Sequence, residues 1–160
     1  LAGQPNMGKS TVFNLLTGLN QHVGNWPGKT VERREGNFIL DAREYRLVDL
    51  PGTYSLTAYS PEEIIARDYI IEEKPDAVIN VVDATNLERN LYLTVQLLEL
   101  DVPVVMALNM ADDLQKDGAK IDLNYLSDLL GGISIVPTTA NRGKGISELI
   151  DKTVNAARKS

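Results

Sequence analysis

The octapeptide Gly3-Gln4-Pro5-Asn6-Met7-Gly8-Lys9-Ser10 constrains this chain more than any other stretch. It matches the pattern G-x-x-x-x-G-K-[ST] in full. It follows Leu1-Ala2, which read as the end of a buried strand, and precedes Lys9 to Leu16, which read as a helix; that is the setting the pattern requires. Glycines let backbone N–H groups wrap phosphates with no Cβ in the way. Lys9 puts a point charge on the β- and γ-phosphates, the Ser10 hydroxyl is placed to ligate Mg²⁺, and the helix N-terminus adds the positive end of its dipole. Gly3 to Thr11 are therefore the expected phosphate-binding residues. A glycine-rich turn matching by accident would need neither the strand nor the helix.

Short apolar runs alternate with amphipathic segments along the rest of the chain. Arg46–Leu50, Ala77–Asp83, Val102–Asn109 and Ile133–Pro137 read as strands, and near-continuous apolar runs of this kind suit strands covered on both faces. Asn37–Leu40 followed by the Arg46 strand suggests one antiparallel hairpin. Helices are expected after the glycine loop, after the Ser60-Pro61-Glu62-Glu63 start, over Asn86–Leu100, after an Asp122 cap, and through Ile146, Leu149, Ile150 and Val154. With the strand end at Leu1-Ala2 this gives an α/β fold: a mostly parallel six-stranded sheet, one antiparallel edge hairpin, and helices on both faces. At 160 residues with no low-complexity linker, the chain reads as one domain over 1–160. Leu1-Ala2 being only the end of a strand, the first strand is expected to be truncated and the chain to be a piece of a longer protein.

Other motifs fall at strand ends, where ligands of such sheets sit. Asp49-Leu50-Pro51-Gly52 matches D-x-x-G; Asp49 would hold Mg²⁺ through water and the Gly52 N–H would meet a γ-phosphate, although Asp-x-Pro-Gly is also a plain turn. Asn109-Met110-Ala111-Asp112 matches N-x-x-D. Asp112 can accept from guanine N1–H and N2–H₂, whereas the unprotonated N1 of adenine would face the carboxylate unfavourably. Thr138-Thr139-Ala140 would bring the Ala140 N–H to guanine O6. Between Gly24 and Thr30, two glycines and a proline mark an irregular, mobile loop. Thr30 there could complete a Mg²⁺ shell when a γ-phosphate is present. Trp26, the only Trp, is open to a core reading and to an exposed switch reading. His22 reads as a solvated loop residue, and one His with no Cys makes a poor transition-metal site.

Four motifs in this order define a GTPase of the Ras-like, translation-factor-related class. The details resemble a narrower group. The glycine loop, Val23–Gly36 (VGNWPGKTVERREG), Asp-Leu-Pro-Gly-Thr-Tyr-Ser-Leu, Tyr59-Ser60-Pro61-Glu62-Glu63 and Asn-Met-Ala-Asp together look like the N-terminal G domain of the ferrous-iron transport protein B family, over nearly the whole chain. In that family the G domain precedes a helical guanine-dissociation-inhibitor domain and a polytopic membrane region, neither of which is present in these 160 residues. The resemblance implies a GTP-binding and GTP-hydrolysing domain on the cytoplasmic side of the inner or plasma membrane, its partners being guanine nucleotide and its own membrane region; a homo-oligomer stays open. GTP or GDP and Mg²⁺ are the implied cofactors. Thr53 stands where many GTPases carry a Gln that orients the attacking water, so slow, Gln-independent hydrolysis is expected. The resemblance implies a substitute in K⁺, held by Asn6 and by carbonyls near Gly24 and Trp26. Lys9, Asn6, Thr30 and Gly52 are then the catalytic candidates. Glu62 is open to two readings, helping to order the segment after Gly52 and placing charge at the N-terminus of its helix.

Two other functions compete. A soluble RNA-binding GTPase of ribosome assembly shares the phosphate loop, but the net charge of −6, with Arg33-Arg34 flanked by Glu32 and Glu35, argues against nucleic acid. A P-loop ATPase is opposed by Asp112. No stretch approaches 18 uninterrupted apolar residues, so nothing in this sequence reads as a membrane span.

Overall fold

The computed structural model describes residues 1–5, 8–116, 118 and 120–159. In chain order the first elements are β1 (Ala2–Gly3), α1 (Lys9–Thr17), β2 (Gln21–Asn25), β3 (Glu32–Leu40), β4 (Arg43–Asp49) and α2 (Pro61–Glu73). There follow β5 (Val78–Asp83), α3 (Leu87–Glu99), β6 (Val104–Asn109), α4 (Ala111–Lys116), α5 (Leu123–Leu129), β7 (Ser134–Pro137) and α6 (Ile146–Lys159).

β1, β5, β6 and β7 form a parallel sheet in the order β1-β5-β6-β7, and β2, β3 and β4 form an antiparallel one. The Leu50 N–H donates to the Leu1 carbonyl at 3.0 Å, and the Leu1 nitrogen to the Val48 carbonyl at 2.9 Å. That is the bond pattern of a parallel pair, so the end of β4 lies beside β1 and the two sheets run on into one another.

Side chains of β5 and β6 alternate between two covered faces. Ile79, Val81, Val105 and Ala107 pack with Val12, Phe13 and Leu16 of α1 and Leu149 of α6. On the other face Val78 and Val104 meet Ile65 and Ile70 of α2 and Leu93 and Leu97 of α3. Burial on both faces is what makes these strands read as continuous apolar runs. Ser60 caps α2 by accepting from the Glu63 N–H (3.1 Å), and Asp122 caps α5 by accepting from the Tyr125 N–H (3.0 Å).

The expectation of six strands needs correction: among the described residues there are seven, and the edge is a three-stranded antiparallel sheet, not a single hairpin. The added strand is Gln21–Asn25, whose last two residues, Gly24 and Asn25, begin the stretch expected to be irregular. It pairs with β3 from Gln21↔Gly36 to Asn25↔Glu32. The Pro27-Gly28 pair, with Gly28 at φ +70°, makes the reversal that joins β2 to β3, closed by Trp26 N–H to the Val31 carbonyl at 3.0 Å. The glycine and proline therefore mark a turn between strands.

Candidate functional site

The phosphate loop sits where β1 meets β5. A Cβ on Gly3 would lie 2.7 Å from the Val81 carbonyl oxygen, so only glycine lets the loop leave the sheet this closely. Gly8 adopts φ +81°, and a Cβ there would fall 2.3 Å from Asn109 Nδ2. Asn6 and Met7 lie outside the described residues. α1 begins at Lys9 with no side-chain cap on its first turn, which leaves its N–H groups open to an anion. A cavity of about 550 Å³ opens there, lined by Pro5, Gly8, Lys9, Ser10, Thr11 and Gly52. Gln4 is buried beneath it and donates to the Arg89 carbonyl at 2.9 Å.

Lys9 is nearly buried. Its ammonium is ion-paired with Asp49 and donates to the Leu50 carbonyl at 2.7 Å. The structure thus brings together the phosphate-loop lysine, the serine hydroxyl beside it, the D-x-x-G aspartate and Gly52. A Cβ on Gly52 would lie 3.0 Å from the Pro5 Cα, so the two loops meet backbone to backbone.

Thr30 is not brought to this cavity. It is exposed in the turn between β2 and β3. Gly24 is in β2. Of the two readings open for Trp26, the core one holds: its side chain packs with Val48, Leu50, Leu56 and Ile65. The ring meets Tyr69 edge-on at 5.7 Å and lies 4.6 Å under the Arg33 guanidinium carbon. Its indole N–H is buried without a hydrogen-bond partner among the described residues, and the Trp26 carbonyl accepts from the Lys29 N–H at 2.9 Å.

Thr53, in the usual Gln position, is buried, and its N–H donates to the Gly3 carbonyl at 3.0 Å. The segment that follows is ordered by Glu63, not by Glu62. The Glu63 carboxylate accepts from Ser55 Oγ (2.7 Å), Thr57 Oγ1 (2.8 Å) and the Thr57 N–H (3.1 Å). The hydrogen bonds from Ser55 and then Thr57 hold its pKa below the ordinary carboxylate value.

The N-x-x-D segment does two jobs. Asn109 is buried, and its Oδ1 accepts from Thr138 Oγ1 and from the Ala140 N–H, both at 3.0 Å. With its amide against Gly8, it ties the loop after β6 to the loop after β7 and to the phosphate loop. Thr139 Oγ1 accepts from the Asp112 N–H at 3.2 Å. Thr139 and Ala140 therefore frame the site, and the Ala140 N–H, expected at guanine O6, is instead given to Asn109. Met110 takes a left-handed φ of +62°, which turns the chain between Asn109 and α4.

The Asp112 carboxylate receives Lys144 Nζ at 2.9 Å and Arg142 at 3.4 Å. The bond from Lys144, then its charge, lowers the Asp112 pKa. Sequence reading missed both cations. They sit in Asn141-Arg142-Gly143-Lys144, about 30 positions downstream, and approach through a backbone bridge between Thr139 and Lys144. The only signal was two basic residues around a glycine just after Ala140.

Among the described residues no three His, Cys, Asp or Glu side chains cluster as a metal site, and no helix is long and apolar enough to cross a membrane. A divalent ion here would rely on hydroxyls, one carboxylate and ligand phosphates. That all-oxygen donor set suits a hard cation.

Residues 1–153 match the family described as ferrous iron transport protein B. The chain is 54% identical over 153 residues to the Fe(2+) transporter FeoB of Salmonella typhimurium, covering 93% of this chain and 20% of that protein. It is 51% identical over 156 residues to the Fe(2+) transport protein A/Fe(2+) transporter FeoB fusion protein of Porphyromonas gingivalis, covering 97% of this chain and 18% of that one. It therefore spans about a fifth of the length of these curated relatives. Among solved structures, the FeoB G-domain of Methanococcus jannaschii superposes with a TM-score of 0.86 at 48% identity, covering 98% of this chain and 94% of that one. The GDP form of the T. maritima FeoB cytosolic domain gives a TM-score of 0.94 at 46% identity, covering 99% and 62%.

Proposed function

The chain belongs to the ferrous iron transport protein B family, and from that we propose that it binds and hydrolyses GTP as the G domain of a ferrous-iron transporter, on the cytoplasmic side of a membrane. The observation that carries the reading is the convergence at Asn109. One buried side chain holds the phosphate loop at Gly8 and the Thr138–Ala140 loop together, so the Lys9 cavity and the Asp112 carboxylate belong to one site. Relatives solved with GDP and with GMPPNP support the same reading.

In this reading Lys9 leaves Asp49 to bind the β- and γ-phosphates, the first-turn N–H groups of α1 wrap them, and the Gly52 N–H binds the γ-phosphate. Ser10, Thr30 and, through water, Asp49 hold Mg²⁺, which neutralises charge on the β- and γ-oxygens. Thr30, with the Gly24 and Trp26 carbonyls, reaches the site by movement of the Gly24–Val31 segment, which releases the Lys29 N–H from Trp26. Asp112 reads the guanine edge. Thr53 offers no amide to the attacking water, so hydrolysis is slow. Asn6 and carbonyls of Gly24 and Trp26 are the proposed K⁺ ligands, K⁺ adding positive charge beside the transferring phosphoryl group. The domain serves a membrane region beyond these residues that carries Fe²⁺.

Calorimetry with GTP, GDP and ATP, each with Mg²⁺, tests the proposal. Guanine nucleotides are expected to bind and ATP not to; equal binding of ATP and GTP would overturn it.

A further inference from the structure

We propose, building on the GTPase reading above, that Gln96 of α3 is a positioning residue for hydrolysis: it holds the backbone of the segment after Gly52 and so fixes Gly52 relative to the phosphate loop. Leu56 is the starting point. Its side chain is buried among Trp26, Ile65 and Leu93, which draws its backbone inward. A backbone N–H carried inside must find an acceptor. No neighbour in sequence supplies one. The acceptor is Gln96 Oε1 at 2.7 Å, 40 positions away.

The same helix holds the other side of the site. Seven residues earlier, two turns along the same face, the Arg89 carbonyl accepts Gln4 Nε2 at 2.9 Å. The Arg89 guanidinium carbon lies 5.9 Å from the Tyr54 ring centre. α3 thus grips the phosphate loop through Gln4 and the segment after Gly52 through Leu56, and it fixes the spacing between them. Thr53 is pinned to the Gly3 carbonyl, and Leu56 to Gln96. Only Tyr54 and Ser55 lie between those pins, so slack at Leu56 loads the Thr53 bond, which adjoins Gly52. Hydrolysis is sensitive to displacements of about an ångström at such a position. Gln96 touches no reacting atom. It acts through the Leu56 amide alone.

Two variants separate positioning from bulk stability. Gln96→Met keeps the length and helix propensity of the side chain but removes the acceptor. Gln96→Glu keeps an acceptor oxygen at the same reach. The measurements are GTP hydrolysis with Mg²⁺ in KCl, resolved into kcat and KM, and hydrogen exchange at the Leu56 amide. For Gln96→Met, kcat should fall about ten-fold with KM within two-fold, and the Leu56 amide should exchange faster by a similar factor. Gln96→Glu should restore both. Unchanged kcat in Gln96→Met despite faster exchange would overturn the proposal. So would equal loss in the two variants, or a change in KM alone. Absence of hydrolysis in the unaltered protein would instead overturn the GTPase reading, and the exchange measurement would still report whether Gln96 holds Leu56.

Discussion

The two halves of the site are held by different kinds of bond. Around the base motif Asn109, Thr138, Thr139 and Ala140 are all inside: Asn109 Oδ1 accepts from Thr138 and Ala140, and Thr139 Oγ1 accepts from the Asp112 N–H, while only the Asp112 carboxylate bonds outward. On the switch side the bonds among Ser55, Thr57 and Glu63 lie at the surface, Thr30 is exposed, and Trp26 is buried at the cost of an indole N–H without an acceptor. Surface hydrogen bonds exchange readily with water, and segments held by them open at a small fraction of the global unfolding free energy. The half that would read the unchanging part of a nucleotide is fixed on folding. The half that would respond to its γ-phosphate is pinned inside at Thr53 and Leu56 and otherwise held by surface bonds that are cheap to break.

The comparison breaks first at Asn109. Asn109→Ala removes the acceptor for both Thr138 and Ala140, leaving a buried N–H and a buried hydroxyl without partners. A loss of about 2–4 kcal/mol is expected. Thermal denaturation without nucleotide should show the midpoint falling by roughly 5–15 °C. A midpoint within 1 °C of the unaltered protein, on the order of measurement error, would mean that the base half is not the rigid one.

Asp112 sharpens it next. Asp112→Asn turns an acceptor towards guanine into a donor, and it loosens the contacts with Lys144 and Arg142. GTP binding should weaken about ten- to a hundred-fold while the melting temperature hardly moves, because this carboxylate lies at the surface of the rigid half. Equal GTP affinity in the two proteins, measured by calorimetry, would remove Asp112 from base recognition.

How much of this was legible in the sequence follows the same division. β5 and β6 are covered on both faces, so burial wrote them as apolar runs. β2 is polar and exposed, and the charges of β3 pair along that strand, Arg34 with Glu32 at 2.6 Å and Arg33 with Glu35 at 3.3 Å. Such a strand looks like polar loop in sequence, and Gly24 and Asn25 at its end merge with the Pro27-Gly28 turn. Trp26 sat between two readings because its neighbours in sequence are turn residues; its burial comes from Tyr69 and Ile65, which only the fold brings near. The glycine loop and both aspartates were legible because their chemistry is local. The partners of Asp112, and Gln96 beneath Leu56, were not, since each is a contact between segments about 30 to 40 residues apart. Glu63 displaced Glu62 for a helical reason: the third residue of α2 faces back over the Ser60 cap, where Ser55 and Thr57 arrive.

A monovalent cation tests the switch half directly. Hydrolysis is expected to run about ten-fold faster in KCl than in NaCl at matched ionic strength, corresponding to about 1.4 kcal/mol of transition-state stabilisation. Asn6→Ala should abolish most of that difference and leave GTP binding largely intact. Identical rates in the two salts would remove K⁺ and its proposed carbonyl ligands from the mechanism.

The smallest effect expected is a pH dependence of the switch side alone. The Glu63 pKa lies below its ordinary value of 4.5 because Ser55 and Thr57 donate to the ionised carboxylate. A depressed carboxylate pKa means that folding favours the charged form. The stabilisation is therefore complete above pH 4.5 and is lost as pH falls through the lower folded-state value. Because the carboxylate is solvent-exposed, the loss is local: it frees residues 55–57 without unfolding the sheet. Limited proteolysis across this segment, set against thermal melting over the same pH range, separates the two. Cleavage between Tyr54 and Ser60 should increase below pH 4.5 before the melting temperature falls, and Glu63→Gln should show the increased cleavage already at pH 7. If cleavage and melting shift together, the switch side is as firmly built as the base side, and the contrast between the two halves does not hold.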